Sequence, residues 1–488
     1  MTNRTAYANL RRRMLFPALF AGGFGLAFFS ARDAHAQAQG AAWTKDPRVG
    51  EGQGIPVGDL ELHPGIGAEG GYDTNWFQRT HHENPDLVNG APAKPPEGAF
   101  VIRVTPSFSA NTAYSREGLP PVVLFRGGLS ASLVGLLGSS EIRDQSNIGL
   151  GANARVDFNQ NRPIGAAVFA GYSRIIQPQV NNQGDPDRSF NRNDINAGAE
   201  VVAMPGGGTL DLRAQYQAYA SLYEQTEGVP FTNVTHEVSE RNRWRFRPRT
   251  ALFHDTTLRF ITYPNAARAT SYLDESTPIR TRLGLTGLVT DHLGTLLAAG
   301  YGASFYKDPG AASTPQYDSI NAQAELTYFF TPDPSTSEPG KATLLLSTIT
   351  AGYVRDFQNS LLANVYTSNK GYLKFVYIFG PRAVLQIGGE FESLDYPQPF
   401  LNNGPNVAPT PVTTRGGGPV GAFTNYRING NIFGEYRLTS SLGINATFDY
   451  TQIMSDTVLA AGGGPGNTQF FDLAWRRIQA FIGARYFL

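Results

Sequence analysis

The stretch Phe471–Leu488, FDLAWRRIQAFIGARYFL, decides how the rest of the chain is read. Ile478, Ala480, Ile482, Ala484, Tyr486 and Leu488 share one parity, while Arg477, Gln479, Gly483 and Arg485 share the other. Side chains of a strand alternate between its two faces, so one face here is apolar and the other mostly polar, with Phe481 and Phe487 as exceptions. The parity slips once near Arg476, because Phe471, Leu473 and Trp475 are odd and Ile478 is even, which is the pattern of a β-bulge. An amphipathic strand running to the last residue has no later element to pair with, and an unpaired edge invites aggregation. Closure onto the first strand of the chain removes that edge, and a closed barrel with an apolar outside spans a lipid bilayer.

The same ending resembles the C-terminal assembly signal of bacterial outer-membrane barrels, carried here by Tyr486, Phe487 and Leu488. Those barrels usually end in Phe, and here Phe487 is penultimate. By this resemblance, outer-membrane lipid and the outer-membrane barrel assembly machinery are expected partners.

At the other end, Arg4, Arg11, Arg12 and Arg13 precede an apolar run from Leu15 to Phe29, and Ala34-His35-Ala36 has the small-x-small form of a signal-peptidase site. Residues 1–36 therefore read as a cleaved signal peptide; as a membrane anchor the run is short and carries Pro17 and several glycines. Residues 37–58 are polar, rich in Gly, Ala and Pro, and aperiodic, so they read as a periplasmic tail ahead of a barrel over 59–488.

After the leader, no apolar run is long enough to span a bilayer as a helix, and the mean hydropathy is −0.25. Gly 54, Phe 31 and Tyr 22 against Met 4 favour strands. Lys+Arg 40 balance Asp+Glu 40, which argues against nucleic acid as a partner, and Cys 0 removes disulfides and thiolate chemistry.

Between these ends the chain alternates amphipathic stretches with turns. Pro205-Gly206-Gly207-Gly208, Pro248-Arg249, Thr290-Asp291-His292-Leu293 and Leu438-Thr439-Ser440-Ser441 each join two such stretches as hairpins, and a Pro-rich turn joins Ser319–Phe330 to Ala342–Phe357. The tally is roughly eighteen strands, an even number as in single-chain outer-membrane barrels. Tight turns mostly follow even strands and long loops odd ones, which places the turns and both termini in the periplasm. The fold class expected is all-β, a closed antiparallel transmembrane barrel in the bacterial outer membrane.

The inner face is expected to be wet and charged. Asp211, Arg213, Gln215 and Gln217 oppose Leu210, Leu212 and Tyr216, and Lys370, Tyr372 and Lys374 sit beside Gln386, Glu390 and Glu392. The most distinctive feature is a run of four arginines on one parity, Arg241, Arg243, Arg245 and Arg247, with Trp244 and Phe246 on the other. Arg259, Arg280 and Arg282 on neighbouring strands complete a basic wall that suits carboxylate, sulfate or phosphate groups on a passing chain. The competing reading is a structural network in which Glu237, Glu240, Asp255 and other lumenal acids neutralise the arginines. Trp76, Tyr172, Trp244, Tyr306, Tyr328, Phe330, Tyr377, Phe379 and Tyr436, near strand ends, read as interfacial girdles.

No enzyme is expected. His254 and Asp255 are adjacent and point to opposite faces, and His63 and Glu69 lie too far apart for contact. His81-His82 beside Glu83 and Asp86 reads as a solvated loop before a metal site, and Gly416–Gly418 and Gly462–Gly464 as outer loops without a following helix. Neither metal nor cofactor is implied.

The segment Gly58-Asp59-Leu60 through Gly71-Tyr72-Asp73-Thr74-Asn75-Trp76-Phe77 resembles the opening of the beta-barrel porin 2 family, whose first strand ends in a Gly-Tyr-Asp-x-Asn-(aromatic or aliphatic)-Phe stretch. The resemblance implies a channel for exporting an exopolysaccharide, a passive conduit working with separate periplasmic and inner-membrane components. A structural barrel within a motility or adhesion apparatus and a general diffusion porin are the other two readings.

Overall fold

The computed structural model describes residues 54–488 except 82–86, 89–90, 93, 113–121, 161, 177–189, 226–231, 265–274, 308–316, 331–346, 361–362, 380–381, 402–409, 414–417 and 462–468. The expected signal peptide, most of the expected tail, His82, Glu83, Asp86, Gly416, Gly417 and Gly462–Gly464 lie outside the described residues.

Eighteen antiparallel strands form one closed barrel. In chain order they are β1 (Leu60–Asp73), β2 (Ala99–Thr112), β3 (Val123–Leu137), β4 (Asn147–Phe158), β5 (Ile164–Ile175), β6 (Arg192–Ala203), β7 (Leu210–Tyr223), β8 (Asn233–Arg247) and β9 (Thr250–Thr262). The second half comprises β10 (Ser276–Thr290), β11 (Leu293–Tyr306), β12 (Tyr317–Phe329), β13 (Thr348–Ser360), β14 (Asn364–Phe379), β15 (Ala383–Tyr396), β16 (Phe423–Arg437), β17 (Leu442–Met454) and β18 (Trp475–Phe487). Each strand pairs with its sequence neighbours, and β18 pairs with β1 from Gly65↔Phe487 to Asp73↔Gln479, which closes the sheet.

Burial is inverted relative to a water-soluble fold. On β18, Ile482 is 70% exposed while Arg485 is 1% exposed, and the same contrast runs round the barrel through Leu129, Leu283 and Ile320 outside and Arg477, Glu435 and Asn445 inside. An apolar exterior over a polar interior is the solution a lipid bilayer demands of strands. The two exceptions on the polar face of β18 are accounted for by stacking: the Arg103 guanidinium lies 4.9 Å from the Phe481 ring centroid, and Arg437 and Arg485 lie 5.0 and 4.8 Å from Phe487.

The expected bulge near Arg476 is absent. β18 pairs with β17 without a register shift from Leu442↔Tyr486 to Ile453↔Trp475, and Trp475 faces inward like Arg477. The apparent slip in parity arises because Gln469–Asp472 belongs to a separate short hairpin with Val458–Ala461. β13 also differs from its expected span, since its described strand begins at Thr348 and continues to Ser360.

Tight turns cluster at one rim, with the start of β1 and the end of β18, and the longer connections mostly leave the opposite rim. At the turn rim Gly206, Gly207 and Gly208 have φ of 68°, 67° and 89°, a region that only glycine enters at little cost, and Asn159 opens its turn at φ 53°. Pro64 marks the lower end of the closing seam. It has no N–H to donate, and at that residue the partner of β1 changes from β18 to the flap Ile55–Val57, which pairs with Leu60–Leu62.

The seam is tied at both ends. At the turn rim the Leu488 amide donates to the Pro64 carbonyl (3.1 Å), and His63 Nδ1 lies 3.3 Å from the Leu488 oxygen. At the loop rim Asp73, fully buried, accepts from Arg477 Nε (2.8 Å) and Gln479 (2.9 Å) across the seam and from the Asn75 amide (3.0 Å). Asn75 donates to the carbonyls of Arg79 (2.8 Å) and Arg476 (3.0 Å) and accepts from the Arg79 amide (3.0 Å). The Asp-x-Asn of the opening stretch thus fastens the first strand to the last.

Trp76 and Phe77, carried on that fastened loop, are buried against the inner wall with Ala99, Val101, Val134, Leu136 and Phe481. This departs from the expected girdle position of Trp76. Tyr306 likewise packs inward, with Phe357 and Val365. The remaining girdle aromatics are seen outside: Trp244–Phe246 (5.9 Å between centroids), Tyr328–Phe330 (5.6 Å) and Tyr377–Phe379 (4.6 Å) at the turn rim. Tyr72–Phe100 (4.9 Å) and Phe391–Tyr426 (5.9 Å) lie toward the loop rim.

Helix α1 (Ser140–Arg143), capped by Ser139, places Ile142 in the same buried cluster as Trp76. Its Glu141 accepts from Arg79 (2.6 Å) and Lys94 (3.1 Å). Burial opposes ionisation of this carboxyl, but the bonds and charges of Lys94 and Arg79 outweigh it and hold the group below its ordinary range. The clamp is therefore present at neutral pH and is lost as pH falls through the lowered pKa. Acid titration is expected to release the loop, seen as a red shift in tryptophan emission, with a midpoint below the ordinary glutamate value of about 4.3. Glu141→Gln is expected to abolish that transition.

Candidate functional site

The lumen-facing positions of β7–β10 carry the basic wall. Register places Arg213, Arg241, Asp255 and Arg282 side by side on one rung across the four strands, and Asp211 directly opposite Arg243 on another. Asp255 accepts from Arg241 (Nε to Oδ1 2.7 Å, NH2 to Oδ2 3.1 Å) and from Arg282 (3.1 and 3.0 Å, both to Oδ2). Asp211 in turn accepts from Arg213 (2.8 and 3.0 Å) and Arg243 (3.2 Å). Each carboxylate is thus shared by two guanidiniums, which fixes their forks in place; Glu200 also acts on Arg213, so the positive excess is clearest around Asp255.

The other arginines are placed differently. Arg259 donates to Glu237 (2.5 Å), and Arg280 to Asp356 (3.0 Å), with its guanidinium 4.2 Å from the Phe357 ring centroid. Arg245 and Arg247 are exposed near the turn rim, past a register irregularity between Trp244 and Arg247, and form no ion pair among the described residues. The seven arginines therefore run along the wall as paired clusters in mid-barrel and exposed charges at the turn rim. Tyr486, Phe487 and Leu488 lie at the closing seam, with Tyr486 outward, Phe487 inward and Leu488 bonded to Pro64.

Two acids of the expected neutralising set face the lumen and one does not. Glu237 and Asp255 face the lumen, whereas Glu240 shares the outward parity of Val238 and Trp244 and contacts His254 instead. Sequence reading missed Asp211 and Asp356 as arginine partners. Both sit at inward positions, but only the cross-strand register shows which guanidinium each one meets.

Small residues make room for this arrangement. Arg282 reaches over β11 to donate to Gln323 on β12 (3.0 Å), crossing Gly300, its register partner. A Cβ at Gly300 would come within 2.0 Å of the Thr281 carbonyl oxygen and 2.5 Å of the Arg282 Cα. Gly300→Ala is therefore expected to push β10 and β11 apart at this rung, costing about 1–3 kcal/mol of stability, measurable as a lowered unfolding midpoint in denaturant.

The lumen is not uniformly wet. At the loop rim, two further apolar clusters, Leu394–Tyr396–Val412–Val420–Leu473 with Ala363 and Tyr306–Phe357–Val365, add to the one around Trp76. Loop residues Val412, Val420 and Leu473 thereby pack on inward-facing wall residues and narrow that end.

No family model matches the chain, and no curated protein matches it. Among solved structures it is similar to a BenF-like porin from Pseudomonas fluorescens Pf-5, at 11% identity and a TM-score of 0.44 over 88% of this chain and 100% of that one. It is also similar to OccAB4 from Acinetobacter baumannii, at 10% identity and a TM-score of 0.43 over 89% and 99% of the two chains. The outer membrane protein opdK from Pseudomonas aeruginosa matches at 13% identity and a TM-score of 0.41 over 88% and 99%.

Proposed function

We propose that this chain is an outer-membrane channel that conducts anionic solutes, with export of an acidic exopolysaccharide as the first specific reading. The observation that carries it is the sharing of Asp255 and Asp211 by two arginines each within a closed barrel whose outside is apolar. Fixed guanidinium forks with a positive excess attract carboxylate or sulfate groups without having to be ordered at each encounter. In this reading both termini and the tight turns face the periplasm, and the polymer is delivered by separate periplasmic and inner-membrane components.

A plugged scaffold barrel in a motility or adhesion apparatus is the second reading, favoured by the apolar clusters that narrow the loop rim. Reconstitution in planar bilayers separates the two: a channel gives stepwise, anion-selective conductance, and a plugged scaffold gives none. Deletion of the gene is expected to remove an acidic surface glycan while leaving motility intact, and the opposite pair of outcomes would select the scaffold.

A further inference from the structure

At mid-height on β8–β10 the outer wall carries a polar cluster where the barrel mostly presents hydrocarbon. Glu240, the middle residue of β8, lies 3.1 Å from His254 Nδ1 on β9, and Asn242 donates to its other carboxylate oxygen at 3.2 Å. His254 Nε2 is 3.0 Å from the Thr281 hydroxyl on β10, which is 3.2 Å from that of Thr256. These side chains share the outward parity of Val238, Trp244 and Leu283, and Glu240 and His254 are 43% and 42% exposed. Farther along β8 toward the loop rim, His236 Nδ1 lies 2.7 Å from the Tyr216 hydroxyl, extending the polar column.

Apart from this cluster and a second one toward the loop rim around Asn369 and Asp395, the exposed outer face is largely apolar, as at Leu129, Val168, Leu373, Ile432 and Ile482. The outward apolar band of such barrels is about 25 Å tall, so a residue at the centre of a spanning strand is far from both headgroup layers. Hydrocarbon offers no partner for the remaining donors and acceptors of Asn242 and Glu240, and an ionisable group at that depth marks a functional contact. Headgroups are out of reach, so the occupant is protein.

We propose that the outer face of β8–β10 is a self-association surface that a second copy of this chain covers. The patch is self-complementary: it holds donors (the Asn242 amide, His254 and the threonine hydroxyls) beside acceptors (the Glu240 carboxylate and the Asn242 carbonyl), as an isologous contact about a two-fold axis requires. Leu283, Val238 and Trp244 ring the polar centre with protruding apolar surface. Lipid tails supply no hydrophobic drive for association inside a membrane, so polar groups and close packing supply the specificity.

The absence of cysteine makes the test direct. Single Leu283→Cys and Ile482→Cys variants of the full chain, the second on the opposite side of the barrel, are treated with a bifunctional maleimide in intact membranes. Leu283→Cys is expected to yield a covalent pair of chains at least tenfold more abundantly than Ile482→Cys. Adding Glu240→Leu with His254→Leu is expected to lower that yield at least tenfold while the folded band on unheated gels persists. Thr281→Val, which removes a single hydroxyl, gives a smaller loss of the same sign should the double variant not insert. Equal yields from the two cysteine positions, products whose mass shows a different polypeptide, or a yield indifferent to these substitutions would each overturn the proposal.

Discussion

Asp73→Ala is expected to open the barrel at its closing seam. Asp73 and Arg477 are both buried, and removing the carboxylate leaves the guanidinium without its charge partner while also freeing Gln479 and the Asn75 amide. Breaking a buried pair from one side costs about 3–5 kcal/mol, a factor on the order of 10² to 10⁴ in the folded-to-unfolded ratio. The measurement is the temperature at which the folded band disappears on unheated-to-heated gels, which should fall sharply for Asp73→Ala and less for Asp73→Asn. A midpoint unchanged from the parent would mean that hydrogen bonding along Gly65–Asp73 suffices to hold the first strand to the last.

The second large effect concerns the wall. Arg243→Glu combined with Arg245→Glu inverts the sign of the stretch of β8 nearest the turn rim, and the new carboxylate at position 243 stands opposite Asp211. Anion selectivity, read as the reversal potential across a salt gradient, should fall by about tenfold in permeability ratio and pass toward cation preference. Export of an acidic polymer should fall with it. The doubly substituted protein is expected to insert normally, because both positions face the lumen side of the strand and the outward Trp244 and Phe246 are untouched. Selectivity equal to the parent's in a correctly inserted protein would remove the wall from any role in conduction.

How much of this was readable in the sequence differs by feature. Parity along single strands gave the inside and outside of β18, β16 and β8 correctly, because period two is a property of the backbone and needs no partner. Nearness to a strand end misplaced Trp76 and Tyr306 as girdle residues: Tyr306 has the parity opposite to the outward Tyr301 and Phe305 and packs on Phe357, and Trp76 is turned inward by the loop after β1. The bulge expected near Arg476 was an artefact of reading two elements as one, since the short hairpin ending at Asp472 carries its own phase.

The basic wall was half legible. That seven arginines gather on three strands follows from alternation, but whether they are free or neutralised depends on which carboxylate stands across from each. Glu240 illustrates the limit: it lies one residue from Arg241, where the sequence suggests a partner in the same network, yet neighbours in a strand point to opposite sides of the wall. The outward Glu240–His254 pair follows from that same alternation, and only the paired register of β8 and β9 shows that the two residues meet.

One consequence follows from the carboxylate that Arg241 and Arg282 hold in common. In the channel proposed above, an acidic group arriving at this rung competes with a resident carboxylate of its own kind, so its net gain from the guanidiniums is small. Such competition would keep the grip shallow, so that on the proposed function a chain of repeating acidic units would be relayed from one fork to the next with no single position acting as a trap.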